Sequence, residues 1–242
     1  MAAALLALAL PLLVAEARAD EPDDGWIVLS ESLSGDFWRT PTGAWYEAGD
    51  ARLDPEDPKR LAGEPGTGVL INGKSGRTSN LVTKRSFGDV EFHCEFLIPK
   101  GSNSGVKFEG LYEIQIHDSY GIPEPKAQHC GGIYPRAELL PKYHYLDEGY
   151  PPRVNAAKPA GVWQTLDVVF QAPRFDARGK KIANARMVKV VLNGQVVHEN
   201  LELTTPTGHA WVKPEVPAGP ILLQADHGPV AFRNVRVRPL ED

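Results

Sequence analysis

The sequence predicts an all-β protein, a sandwich of two antiparallel sheets. Apolar residues recur mostly with period two rather than the 3.6 of a helix. The 242 residues include 23 Gly and 21 Pro, enough turn formers to punctuate many short strands. Asn193-Gly194, the dipeptide best suited to a type I′ hairpin turn, lies between two apolar runs.

Taken in order, residues 1–19 read as an export leader. The apolar run Ala2 to Ala15 is shorter than the roughly 20 residues a spanning helix needs. Ala17-Arg18-Ala19 offers a small-x-small cleavage pattern before Asp20, although no Lys or Arg precedes the apolar run. Residues 20–242 then form one domain, secreted or periplasmic, with no further membrane span.

Residues 49–76 and 118–160 read as long irregular stretches, dense in Pro, Gly and charge, and loops of that length are usually functional or disordered. Around them the strands declare themselves. Phe92, Cys94, Phe96 and Ile98 share one parity against Glu91, His93 and Glu95. Val106 and Phe108 oppose Lys107 and Glu109, and Tyr112, Ile114 and Ile116 oppose Glu113, Gln115 and His117. Leu166, Val168 and Phe170 follow Trp163, while Val188, Val190 and Leu192 lead into the Asn-Gly turn and Val196 and Val197 leave it. Two last strands flank His227-Gly228-Pro229. There the alternation slips between Phe232 and Val235, which predicts a β-bulge near Arg233-Asn234.

A net charge of -5 and a pI near 5.8 provide no basic face for nucleic acid. Two cysteines, Cys94 and Cys130, cannot build a disulfide framework or a multi-cysteine metal site, and the reading favours free thiols. There is no GxSxG elbow, GxGxxG after a strand or HExxH, so the serine-hydrolase, dinucleotide and zincin classes lack support. What remains is a set of hydrogen-bonding side chains beside turn glycines: Asn103-Ser104-Gly105, Gln115, His117-Asp118, Gln224, Asp226-His227-Gly228 and Arg233-Asn234. On a curved sheet they would line a polar surface suited to sugar hydroxyls, which need placed donors and acceptors.

In order along the chain, "GSNSGVKFEGLYEIQIHDSYG", "CGGIY", "KPAGVWQTLDVVFQAPRFD", "VVLNGQVVHEN" and "GPILLQADHGPVAFRNVRVRPL" resemble the 3-keto-disaccharide hydrolase domain family over about Gly25 to Leu240. The resemblance implies a concanavalin-A-like jelly roll, secretion by sugar-degrading bacteria and a 3-keto-glycoside substrate. It places family motifs on Asn103 to Gly105, Tyr112 to Gln115, Asp118, Gly131 to Tyr134, Leu223 to Gly228 and Phe232 to Asn234. The chain departs from the family pattern at His117 and at Gln164 after Trp163.

With a 3-keto sugar as substrate, Glu113 is expected as the base that removes the C2 proton, His227 as acid to the leaving group and Arg233 as the cation facing the enolate or a hydroxyl pair. Asn103, Gln115, Asp118, Tyr134 and Gln224 are expected to bind sugar hydroxyls. These groups should converge in one cleft. Two bland roles stay open: Arg233 as a salt-bridge partner of Glu113 or Glu95, and His227 as a turn former. Glu95 with Glu113 would be the pair for ordinary two-carboxylate hydrolysis. No cofactor is demanded, though the acids and carbonyls are compatible with a divalent ion such as calcium. The non-enzymatic alternative is a lectin-like glycan-binding module, and the sequence leaves the oligomeric state open.

Overall fold

A computed structural model describes residues 25–34, 36–40 and 42–240. The leader read at 1–19 lies outside the described residues. The strands are β1 (Ile27–Val28), β2 (Tyr46–Leu53), β3 (Leu61–Ile71), β4 (Leu81–Phe87), β5 (Val90–Leu97), β6 (Asn103–Phe108), β7 (Tyr112–His117), β8 (Ala137–Glu138), β9 (His144–Tyr145), β10 (Gln164–Gln171), β11 (Arg174–Phe175), β12 (Lys181–Ala183), β13 (Ala185–Leu192), β14 (Gln195–Leu203), β15 (Gly219–Leu223) and β16 (Ala231–Pro239). A 3-10 turn, His209–Val212, is the single helical element among the described residues, and no helix there is long and apolar enough to cross a membrane.

The strands form a jelly-roll sandwich. One sheet runs β14-β13-β10-β5-β16-β3-β2, with β1 also on β16, and the other runs β4-β15-β6-β7. Alternation explains how they meet. Phe92 and Phe96 of β5, Phe170 of β10 and Phe232 of β16 turn inward from the large sheet, and Phe108 of β6 and Tyr112 of β7 turn inward from the small one. Phe108 stacks on Phe170 at 5.0 Å between centroids and meets Phe92 edge-on at 5.5 Å. Each buried Phe contributes roughly 1.5–3 kcal/mol relative to exposure.

A second apolar layer covers the other face of the large sheet, where Ala48, Ala51, Leu61, Val69, Ile71, Leu97 and Ala231 pack with Leu53 and Trp163. This layer belongs to the β2-β3 hairpin and corrects the reading of 49–76 as irregular. Gly49 and Gly66 let the two backbones touch there: a Cβ on Gly49 would sit 2.7 Å from Pro65 O, and one on Gly66 2.7 Å from Gly49 Cα. The register shifts between Ala48 and Asp50 at this point, so pairing overrides weak local strand propensity.

The bulge expected near Arg233-Asn234 is present, with a register shift on β5 between Arg233 and Arg236 and a φ of +50° at Asn234. Asn193 and Gly194 hold the positive φ angles, 51° and 79°, that a type I′ turn needs. Val188 does not share the inward face with Val190. Val169 pairs with Lys189 and Phe170 with Met187, so Val188 is the extra residue of a bulge and is turned out. Cys94 and Cys130 are free and buried, and burial pushes the Cys130 thiol up to about 12.

Candidate functional site

The site is built on the face of the small sheet turned away from the core. In the β6-β7 hairpin Asn103 pairs with His117, Gly105 with Gln115 and Lys107 with Glu113, while Val106, Phe108, Tyr112, Ile114 and Ile116 fill the core. The ladder therefore sets an ammonium beside a carboxylate: Lys107 Nζ lies 2.9 Å from Glu113 Oε2, the carboxylate side chain being 4% exposed. Gln115 Nε2 donates to Asn103 Oδ1 at 3.1 Å.

Gly105 makes room for this pair, because a Cβ there would lie 2.6 Å from Glu113 Oε1 and 3.1 Å from its Cγ. Gly105→Ala is therefore expected to swing the carboxylate off Lys107. Activity should fall at least tenfold with the melting temperature changed by only a few degrees; full activity in a steady-state assay would refute this role.

The connection between β15 and β16 brings two more groups. Gln224 N donates to Gly105 O at 2.9 Å, and Ser104 Oγ donates to Gln224 O at 2.8 Å. Buried Asn72 pins the rest of the turn, donating to the Ala225 and Gly228 carbonyls at 3.1 and 2.8 Å and accepting from Val230 N at 2.8 Å. Gln224 Oε1 is buried without a protein partner, an acceptor that costs free energy until a ligand hydroxyl donates to it. His227 is held through Nδ1 by Asp226 Oδ1 at 2.6 Å, which leaves Nε2 for a ligand.

The long 118–160 loop supplies the remaining wall. Residues 131–134 run along the free edge of β7, with Gln115 N donating to Gly132 O at 2.8 Å and Tyr134 N donating to Glu113 O at 3.2 Å. The Tyr134 hydroxyl meets those of Tyr143 and Tyr145 at 2.9 and 3.0 Å. Burial first, and then these two hydrogen bonds, raise the Tyr134 pKa above the ordinary phenol value, so it stays a neutral donor. Thr207 Oγ1 accepts from Glu113 N at 2.9 Å and fixes the adjoining 207–209 segment.

Together Asn103, Lys107, Glu113, Gln115, Tyr134, Leu139, Tyr143, Gly208, His209, Gln224 and His227 enclose a cleft of about 260 Å³. Six of the nine residues singled out from the sequence line it: Glu113, His227, Asn103, Gln115, Tyr134 and Gln224.

Arg233 and Glu95 do not, which corrects the expected convergence. They are directly opposed on β16 and β5 of the large sheet, on the face away from its Phe92-Phe96 core. Arg233 Nη2 lies 2.7 Å from Glu95 Oε2, and its guanidinium covers Trp163 at 4.1 Å from the ring centroid. The open alternative of an Arg233-Glu95 salt bridge is the arrangement seen. Glu95 and Glu113 thus belong to different sheets, and the two-carboxylate route has no geometry to run on.

Asp118 also stands apart from the cleft lining. Its Oδ2 accepts from Gly101 N at 2.8 Å and closes the turn before β6. Among the described residues no group of three or more His, Cys, Asp or Glu side chains is placed to hold a metal ion. The cleft's one lining carboxylate is taken by Lys107, so a calcium ion does not fit the residues present there.

Sequence reasoning missed Lys107, Tyr143, Gly208 and His209 as site residues. Lys107 carried a usable signal: pairing Phe108 with Tyr112 across a short Glu-Gly-Leu turn sets Lys107 opposite Glu113. The other three come from a loop and from the start of the short 3-10 turn, which carry no periodicity.

Comparison with known proteins accords with this architecture. A presumed glycosyl hydrolase from Parabacteroides distasonis is 26% identical, with a TM-score of 0.60 over 90% of this chain and 84% of the other. A second presumed glycosyl hydrolase from the same organism, 16% identical with a TM-score of 0.50 over 82% and 89% of the two chains, shares the fold. No curated protein sequence matches the chain. Residues 25–238 match the 3-keto-alpha-glucoside-1,2-lyase-like domain. With nearly its whole described length matched, the chain belongs to that family of domains.

Proposed function

We propose that this carbohydrate-active protein is a secreted or periplasmic bacterial enzyme that cleaves 3-keto-glycosides, 3-keto-disaccharides among them, by elimination and hydration in the cleft on the small sheet. Family membership and the likeness to a presumed glycosyl hydrolase support the sugar substrate. The observation that carries the chemistry is the Lys107-Glu113 pair sharing one cleft with Tyr134, Gln224 and His227.

A carbonyl at C3 acidifies the C2 proton. Glu113 accepts that proton, and the C2–H electron pair becomes the C2=C3 bond of an enolate whose charge rests on O3. The Lys107 ammonium, the cation that Arg233 was expected to provide, stabilises that oxygen together with the neutral Tyr134 hydroxyl. The enolate then re-forms C3=O, C1=C2 forms, and the C1–O bond breaks as His227 gives a proton to the departing oxygen. Water adds across C1=C2, hydroxyl to C1 and proton to C2, so the sum is hydrolysis. Asn103, Gln115 and the unpartnered Gln224 Oε1 take sugar hydroxyls.

The test is to incubate the protein with 3-keto-trehalose and with trehalose, following glucose release and, in D2O, deuterium entry at C2. Release from the keto sugar alone, with C2 labelling, is expected. Equal cleavage of both sugars would refute elimination, and saturable binding without product would leave a lectin-like module.

A further inference from the structure

A second hollow adjoins the cleft and has no part in the chemistry above. It measures about 300 Å³ and is bounded by Tyr134, Arg136, Asp147, Tyr150, Thr205 and Thr207 among others. Tyr134 lines both spaces, while the consecutive residues Thr207 and Gly208 line one each. Gly208 keeps the boundary low. A Cβ at that position would lie 3.8 Å from the Tyr134 ring and 3.9 Å from Glu113 Oε2, so any longer side chain would intrude between carboxylate and phenol ring. Its φ of +55° also disfavours such a side chain.

The lining defines the occupant's chemistry. Arg136 Nε is 2.6 Å from Asp147 Oδ2, and Asp147 Oδ1 accepts from Arg136 N and Gly149 N at 3.0 Å each, so the ion pair is fixed to its loop. The guanidinium retains further N–H donors, and the lining also includes the hydroxyl-bearing Thr204 and Thr205 and the aromatic Tyr134 and Tyr150. Uncharged hydroxyl groups over a pyranose face match donors, acceptors and rings of this kind. An anion would meet Asp147 and Glu148, and an apolar group would strand the guanidinium. In volume the hollow is close to the catalytic cleft, about 300 against about 260 Å³, so the two are suited to one ring apiece.

We infer that the Arg136-Asp147-Thr205 hollow is the subsite for the leaving sugar, a neutral hexose ring, and that it makes a disaccharide a better substrate than a glycoside of a small alcohol. This rests on the reaction proposed above, and the experiment separates the two.

Steady-state kinetics would be measured on 3-keto-trehalose and on methyl 3-keto-α-glucoside for the wild type, Thr204→Leu/Thr205→Leu and Glu148→Leu. Glu148 is exposed on the hollow's rim, so folding is not at stake there. The double variant is expected to raise KM for the keto-disaccharide at least tenfold and leave the methyl glycoside unchanged; Glu148→Leu should act in the same direction more weakly. Equal changes on both substrates, or none on either, would overturn the subsite. Should the wild type turn over neither, the reaction has failed, and the same two sugars are titrated by calorimetry. Weakening confined to the disaccharide in the double variant then keeps the subsite, and equal affinities remove it.

Discussion

Glu113→Gln is expected to lower kcat on a 3-keto-disaccharide by about 10²- to 10⁴-fold, the usual contribution of a positioned base. KM should change little, because the amide occupies the same volume and still accepts a hydrogen bond from Lys107. Deuterium entry at C2 should disappear with turnover. The substitution removes one charge from a pair whose lysine lines the cleft with its side chain 17% exposed, and the fold should survive. Circular dichroism and a thermal melt check this. The matched control is Glu95→Gln on the large sheet, which removes the ion pair with Arg233 and weakens the contacts to Arg233 and Asn234 yet should leave kcat within twofold. Wild-type kcat in Glu113→Gln, or a collapse in Glu95→Gln at unchanged melting temperature, would relocate the chemistry.

The second large effect concerns stability. Glu109 occupies the turn between β6 and β7 with a φ of +55°, is 5% exposed, and has no partner for either carboxyl oxygen. Burial first, then the charges of Glu215 and Asp89, push its carboxyl up to about 8 from 4.5. Between those values the folded chain retains a proton that the unfolded chain releases. Stability from this group is therefore whole below pH 4.5, declines as pH rises and levels off above about 8. At about 1.4 kcal/mol per pH unit the upper limit is several kcal/mol. Glu109→Gln fixes the neutral form. Its melting temperature relative to wild type is expected to rise by roughly 5–10 °C between pH 5 and pH 9. A difference that stays flat over this range would show that Glu109 finds partners or water in solution.

Much of the fold is legible because strand alternation reports which side chains share a face. Phe92 to Ile98, the 103–117 hairpin, the Asn193-Gly194 turn and the slip at Arg233-Asn234 all carry that signal. The β2-β3 hairpin does not, because its pairing depends on Gly49 against Gly66, a contact between segments rather than a local pattern. The same limit explains the site. Alternation placed Glu113, Gln115 and Asn103 correctly on one polar face, and it placed Arg233 and Glu95 on another, but it does not say which sheet bears which face. The pattern therefore leaves open whether Arg233 meets Glu113 or Glu95, and the pairing of β16 with β5 selects Glu95. Tyr134 was accessible through the family motif, whereas Tyr143 and His209 reach the cleft on aperiodic segments that only tertiary pairing positions.

The Lys107 ammonium and Glu113 carboxylate hang from facing rungs of a single hairpin, so the ladder's own pitch sets their spacing and slippage of one sheet over the other leaves it unaltered. The tyrosines arrive on a separate long loop. Under the proposed reaction, alignment and selectivity are thereby carried by different stretches of chain, and sequence drift in the 134–150 region would retune which glycoside is accepted while the proton-transfer geometry is inherited intact.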